Sequence, residues 1–176
     1  MPRVDIRRGE TGEAKLIAEF ARRTFQIANR HEMDDDALSR HLNDLMSGGL
    51  FVQMFDSDTF YLASASNQLL GYAQLGPVDL KYASHVPDFD DSAFELRRLY
   101  EDPTSQGGGI GSDLILRIIA DPRSKACSKL YITTWETNQG AQRLYERSGF
   151  RKVAEMPDFS IEGNLEGYEH ILEMRL

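Results

Sequence analysis

Between residues 106 and 112 the chain reads Gln106-Gly107-Gly108-Gly109-Ile110-Gly111-Ser112, between a strand-like stretch and a strongly apolar helical one. Glycines without Cβ atoms let a backbone come close to a ligand. The first amides of the following helix have no partner inside it and carry the positive end of its dipole. The chemistry this pattern offers is anion binding, phosphate above all. A nucleotide-triphosphate loop would need Gly-Lys-Ser/Thr, and no Lys follows Gly111. A dinucleotide fold would need a third glycine where Leu114 stands, and its strand–helix unit would not come so late in the chain. A plain strand-to-helix turn accounts for one glycine but does not need Gly107, Gly108 and Gly109 in succession.

Other reactive side chains say less. His31, His41, His85 and His170 are scattered, and His31-Glu32 has no second His one turn on, so no metal is expected. Cys127 stands alone, which rules out an intrachain disulfide. It is expected to be a small core residue in a reducing compartment.

These residues need elements to hold them. Residues 4–7 alternate as a strand. Thr11 can cap a helix to about residue 29, with Leu16, Ile17, Phe20, Ala21, Thr24 and Phe25 inward. The acidic run 34–36 starts a second helix that buries Leu38, Leu42, Leu45 and Met46, and Gly48-Gly49 breaks it. Residues 51–55 fit a helical turn or a strand. Runs 60–65 and 69–75 form a hairpin across Ser66-Asn67-Gln68. A polar loop over 77–91 leads to a strand over 95–100. A short loop, 101–108, opens a helix over 109–120 that buries Leu114, Ile115, Ile118 and Ile119. A strand over 129–134 follows. Asn138 caps a helix over 139–148 ended by Gly149, and strands 150–159 and 169–176 close the chain. The order dictates a mixed α/β sheet.

The 176 residues, 41% hydrophobic, suit one domain, 1–176, with one core. Lys plus Arg number 20 against 28 Asp plus Glu, a net charge of -8, which argues against nucleic-acid binding. That charge suits solubility, and it is compatible with a cationic substrate. The N-terminal residues hold no apolar run for a signal peptide, and no stretch is long and apolar enough to span a bilayer, so a cytoplasmic protein without a membrane partner is expected.

The run 106–111 fits the Gln/Arg-x-x-Gly-x-Gly/Ala signature of the GNAT superfamily of acyl-CoA N-acyltransferases. The preceding Glu95-Leu96-Arg97-Arg98-Leu99-Tyr100-Glu101-Asp102-Pro103 resembles that family's fourth strand and its exit. Downstream, Trp135-Glu136-Thr137-Asn138-Gln139-Gly140-Ala141 through Leu144-Tyr145-Glu146-Arg147-Ser148-Gly149-Phe150 resembles its second block. The likeness is clearest over residues 69–153. It implies a central, mostly antiparallel sheet flanked by helices and splayed between strands four and five. It also implies acetyl-CoA as co-substrate, with its pyrophosphate on Gln106, Gly107, Gly108, Gly109, Ile110, Gly111 and Ser112. The pantetheine arm would pair with the backbone of Leu99 and Glu101, and the Leu99 amide would polarise the thioester carbonyl. Glu101 departs from the aliphatic residue usual there, and a carboxylate beside an anionic cofactor is unhelpful unless turned to solvent or to a cationic acceptor. Tyr145 matches the family's frequent general acid for the thiolate, or packs with Ala141 and Leu144 on one helix face. Asn138 matches a pantetheine contact, a helix cap, or both. Glu95 matches a base acting through water, or a solvent-facing strand glutamate.

The implied reaction is direct acetyl transfer to a primary amine in a ternary complex. Residues 23–31, the acidic start 34–36 and the ending 167–174 are loosely similar to the bacterial spermidine/spermine-acetylating branch. Glu32, Asp34, Asp35 and Asp36 would attract a polyamine, or simply form an acidic helix N-terminus. The alternatives are a non-catalytic acyl-CoA-binding module and an enzyme acting on a protein N-terminus or lysine. Members often dimerise, and the last strands are the expected interface.

Overall fold

The computed structural model describes residues 3–29, 34–158 and 167–176. The elements run β1 (Asp5–Arg8), α1 (Ala14–Asn29), α2 (Asp35–Leu45), α3 (Gly48–Met54), β2 (Thr59–Ala65), β3 (Gln68–Pro77), β4 (Phe94–Glu101), α4 (Ile110–Ile119), α5 (Pro122–Ala126), β5 (Lys129–Trp135), α6 (Gln139–Arg147), β6 (Arg151–Asp158) and β7 (Gly167–Arg175). The strands form one seven-stranded sheet in the order β1-β2-β3-β4-β5-β7-β6. The sheet is mixed and mostly antiparallel, with β4 and β5 parallel, as expected. By contacts the chain divides into two units, 1–74 with 98–114 and 75–97 with 115–176.

In the first unit β1 pairs antiparallel with β2, Asp5 opposite Ser64 and Arg8 opposite Tyr61. The start of α1 is fixed one residue earlier than expected. The Glu10 amide donates to Glu13 Oε2 at 3.0 Å, so Glu10, not Thr11, begins a 3-10 turn that runs into α1. Ile17, Phe20, Ala21, Thr24 and Phe25 are buried as the spacing dictates, but Leu16 is 48% exposed, and Leu45 of α2 46%. Each sits at the edge of its apolar stripe, where a helix face turns to solvent.

Gly48 and Gly49 do not merely break a helix. They form the first turn of α3, whose cap is Ser47, its Oγ accepting from the Leu50 amide at 3.3 Å. Residues 51–54 are therefore helical. The hairpin turn is two residues long, Ser66 and Asn67 with φ of 49° and 62°, the pair of left-handed conformations that matches strand twist. Tyr72 of β3 is the centre of this unit's core, with the rings of Phe20, Phe51, Phe60 and Tyr100 6.1, 6.4, 6.2 and 5.5 Å away.

In the second unit residues 77–91 are not a solvated loop. Val78, Tyr82 and Val86, spaced four apart, pack with Ala93, Tyr131, Met156 and Ile171. A 3-10 turn, Leu80–Ser84, supports that spacing, capped by Asp79 Oδ1, which accepts from the Lys81 amide at 3.0 Å. β5 and β7 pair antiparallel from Lys129–Arg175 to Trp135–Glu169, and β6 pairs with β7 out to Asp158–Gly167. Phe159, expected at the end of β6, lies outside the described residues.

Helix α5 was not expected. Asp121 caps it, accepting from the Arg123 amide at 2.7 Å, and Pro122 fills its first position. Cys127 ends it and is only partly buried, its thiol 3.1 Å from the carbonyl oxygens of Ser124 and Lys129, so it is not a core residue. Among the described residues no helix is long and apolar enough to cross a membrane.

Candidate active site

In the first unit the glycine loop hangs from Asp102, a side chain 5% exposed. The Asp102 amide donates to Leu70 O at 2.7 Å, fixing the exit of β4 against β3. Its Oδ1 accepts from the Thr104 amide at 2.9 Å and the Thr104 hydroxyl at 2.6 Å, and its Oδ2 accepts from Arg23 at 2.7 Å. These bonds hold the carboxyl below its usual range, the Thr104 hydroxyl most of all. The 3-10 turn Pro103–Ser105 follows.

Gly107 and Gly109 then take φ of 80° and 87°, a region that costs an ordinary residue about 1–2 kcal/mol. Between them, a Cβ on Gly108 would stand 3.1 Å from Ser105 O. That conformation explains the glycine triplet. The helical ladder of α4 begins with the Asp113 amide on Gly109 O at 3.0 Å, so the amides of Ile110, Gly111 and Ser112 precede it without a partner inside the helix. Gly71 of β3 lets this turn come close, since a Cβ there would lie 2.9 Å from Tyr100 O and 3.2 Å from Ile110 Cγ2.

Leu99 and Glu101 lie on β4 in this same unit, both half-buried. The Glu101 side chain is half-buried, and among the described residues no cation pairs with it. The Gly111 amide faces its carboxylate, and among the described residues its buried Oε1 has no hydrogen-bond partner. Burial outweighs the amide and raises its pKa.

The second unit holds Glu95, Asn138 and Tyr145. The parallel β4–β5 ladder consists of Phe94–Leu130 and Glu95–Tyr131, and both strands run on past it. Glu95 therefore sits at the ladder's last rung. It is 6% exposed, which corrects the expectation of a solvent-facing glutamate. Tyr82 donates to its Oε1 at 2.6 Å and the Asp79 amide to its Oε2 at 3.1 Å. Burial raises its pKa against those two donors and the charge of Arg97.

Asn138 is exposed, and its Oδ1 caps α6 by accepting from the Ala141 amide at 3.1 Å, which leaves its side-chain amide to face outward work. Tyr145 is 5% exposed, its ring edge-on to Phe150 at 6.0 Å. Gly149, with φ of 99°, ends α6 as the sequence indicates.

The sequence profile of the acetyltransferase (GNAT) family matches residues 15–150. The chain belongs to the GNAT family. Its fold is close to that of the PaiA N-acetyltransferase of Thermoplasma acidophilum, solved in complex with coenzyme A, with a TM-score of 0.75, 16% identity and 99% of each chain covered. An uncharacterized N-acetyltransferase of Mycobacterium bovis is 23% identical over 141 residues, 79% of this chain and 83% of the relative. The N-acetylaspartate synthetase of Danio rerio is 35% identical over 74 residues, 42% of this chain, and the match spans only 26% of that longer protein. This GNAT protein is an acetyl-CoA-dependent N-acetyltransferase.

Sequence reasoning missed Asp102 as the residue that shapes the loop, although Asp before Pro with Thr two residues on is a capping pattern. It also missed Tyr82, whose spacing from Val78 and Val86 carries the signal. Asp34, Asp35 and Asp36 are exposed at the start of α2. His31 and Glu32 lie outside the described residues. His41 stacks on Phe25 at 4.2 Å, and His170 lies 3.9 Å from Glu155.

Proposed function

We propose that this GNAT enzyme moves the acetyl group of acetyl-CoA to a primary amine of a small cationic molecule, a polyamine being the first to try, by direct transfer in a ternary complex within a single domain. The observation that carries it is the loop conformation, Gly107 and Gly109 at positive φ before the first-turn amides of α4, which have no partner inside the helix and suit a pyrophosphate. The net charge of -8 and the exposed Asp34–Asp36 start of α2 support a cationic acceptor.

In this reading the backbone of 106–112 holds the pyrophosphate, and Leu99 and Glu101 pair with the pantetheine arm through their main chain. The Leu99 amide donates to the thioester oxygen as charge develops there. Asn138 steadies the arm with the amide its cap leaves over. Tyr145 gives a proton to the departing thiolate. An ammonium group cannot attack, so it must lose a proton first, and Glu95 acts on it through a water, both its oxygens being engaged. The absence of any disulfide supports work in the cytoplasm. The edge strand β6, beside β7, is the proposed dimer surface.

The test is the thermal midpoint with and without acetyl-CoA, then thiol release against primary amines, polyamines first. Ligand at a hundredfold its Kd adds about 2.7 kcal/mol, a rise of several degrees. No rise at millimolar acetyl-CoA would remove the reading.

A further inference from the structure

The carboxyl group expected to take the amine's proton, Glu95, is fully employed. A phenol holds one oxygen and a backbone amide the other, and the side chain is buried. Tyr82 also lies beside Thr133 of β5, and its bond to Glu95 ties the 77–91 segment to the sheet, which is a structural employment.

A second carboxylate shares the sheet face. Glu95 stands opposite Tyr131, and Tyr131, Thr133 and Trp135 alternate onto one face of β5. Trp135 stands opposite Glu169 of β7. Glu95, Thr133 and Glu169 therefore lie on the same side of the sheet. Glu169 is half-buried, and among the described residues no hydrogen bond reaches its carboxylate. Its strand is held at its start, because the Glu136 amide donates to Tyr168 O at 2.9 Å and the Tyr168 amide to Glu136 Oε1 at 3.2 Å. The charged groups around Glu169 are Lys81 and Asp79 from the 77–91 segment, Glu95 from β4 and Asp158 from β6.

We infer that Glu169 is the proton acceptor for the incoming amine, and that Glu95, on the same sheet face, is a positioning residue. This rests on the acetyltransferase reading above. The amine's N–H proton passes to a Glu169 oxygen, the freed lone pair attacks the thioester carbon, and the C–S bond breaks as the thiolate leaves. Burial first, then the like charges of Asp158, Glu95 and Asp79, raise the Glu169 pKa, against the charge of Lys81. A raised carboxylate is a better base near neutral pH.

The experiment measures kcat/KM for the best primary amine against pH in the wild type, Glu169→Gln and Glu95→Gln, with the acetyl-CoA thermal shift as a check on folding and donor binding. Glu169→Gln is expected to lose on the order of 10²- to 10⁴-fold in kcat/KM and its acid limb, with the thermal shift kept. Glu95→Gln is expected to keep an acid limb but at lower pH, because a like charge beside Glu169 has gone. Carboxyl-carbon NMR of glutamate-labelled protein reads the same shift without turnover, as a Glu169 titration that moves down in Glu95→Gln. An acid limb that survives in Glu169→Gln, or that vanishes only in Glu95→Gln, overturns the assignment and leaves the acetyltransferase reading standing. A wild type that binds acetyl-CoA but acetylates no primary amine overturns both.

Discussion

The Tyr82 hydroxyl donates to Glu95 Oε1 at 2.6 Å, joining the 77–91 segment to the last rung of the β4–β5 ladder. Tyr82 is 2% exposed, and its partner holds its own pKa far above the ordinary phenol value, burial being the larger cause. Tyr82→Phe leaves a buried carboxylate oxygen unpartnered, at a cost of about 1–3 kcal/mol. The pH dependence has a definite sign. The Glu95 pKa is raised in the folded chain, so its contribution is complete below the ordinary 4.5 and falls as pH rises through the folded value. Removing a donor raises that value further. Thermal midpoints of the variant should therefore trail the wild type by more at pH 8 than at pH 5.

Glu101 and the Gly111 amide make a second prediction. A carboxylate that faces a first-turn amide of α4 competes with a phosphate for the same positive end. Glu101→Gln removes the charge and should tighten acetyl-CoA binding by roughly 3- to 10-fold, about 1 kcal/mol, the scale of a partly exposed charge interaction. Titration calorimetry at low salt reads it, and an unchanged or weaker Kd would show that the carboxylate moves aside without cost.

The loop's backbone gives a third. Gly109→Ala forces a Cβ into φ of 87°, although no atom stands in its way. It should cost about 1–2 kcal/mol of stability or move the loop, and acetyl-CoA binding falls with it. Gly71→Ala is a contrasting case, strained by contact rather than by φ. Its Cβ meets Tyr100 O and Ile110 Cγ2, so the β4 backbone must shift and the start of α4 must give, at about 1–3 kcal/mol. Denaturant melts with and without acetyl-CoA separate the two.

Glu173, 2% exposed, is ringed by Lys129 at 2.9 Å, Arg175 at 3.3 Å and Arg151 at 3.4 Å. Burial pushes its pKa up, but these cations together win, and the net shift is downward. Its stabilising contribution is complete above the ordinary value of 4.5 and is lost as pH falls through the lower folded value. Glu173→Gln should cost about 3–5 kcal/mol near neutral pH, and the gap to the wild type should narrow in acid.

Local spacing alone determined most of the elements and the glycine loop, and the resemblance of residues 106–111 and 135–150 to known motifs pointed to the family. Residues 106–112 work through backbone conformation, and glycine content reports backbone conformation directly. The caps Asn138 and Gly149 were legible for the same reason, being contacts within a few residues of chain. Tertiary structure alone decided what each carboxylate does. The sequence shows Glu95 and Glu169 as strand glutamates and Glu101 as the first residue of a loop. Folding buries Glu95 under Tyr82, sets Glu101 against Gly111 and leaves Glu169 without a hydrogen bond from any described residue. The partners of Glu95 and the charges around Glu169 come from distant stretches of chain. An ionisable group's chemistry is set by its desolvation and by its neighbours in space, and neither is written in local sequence.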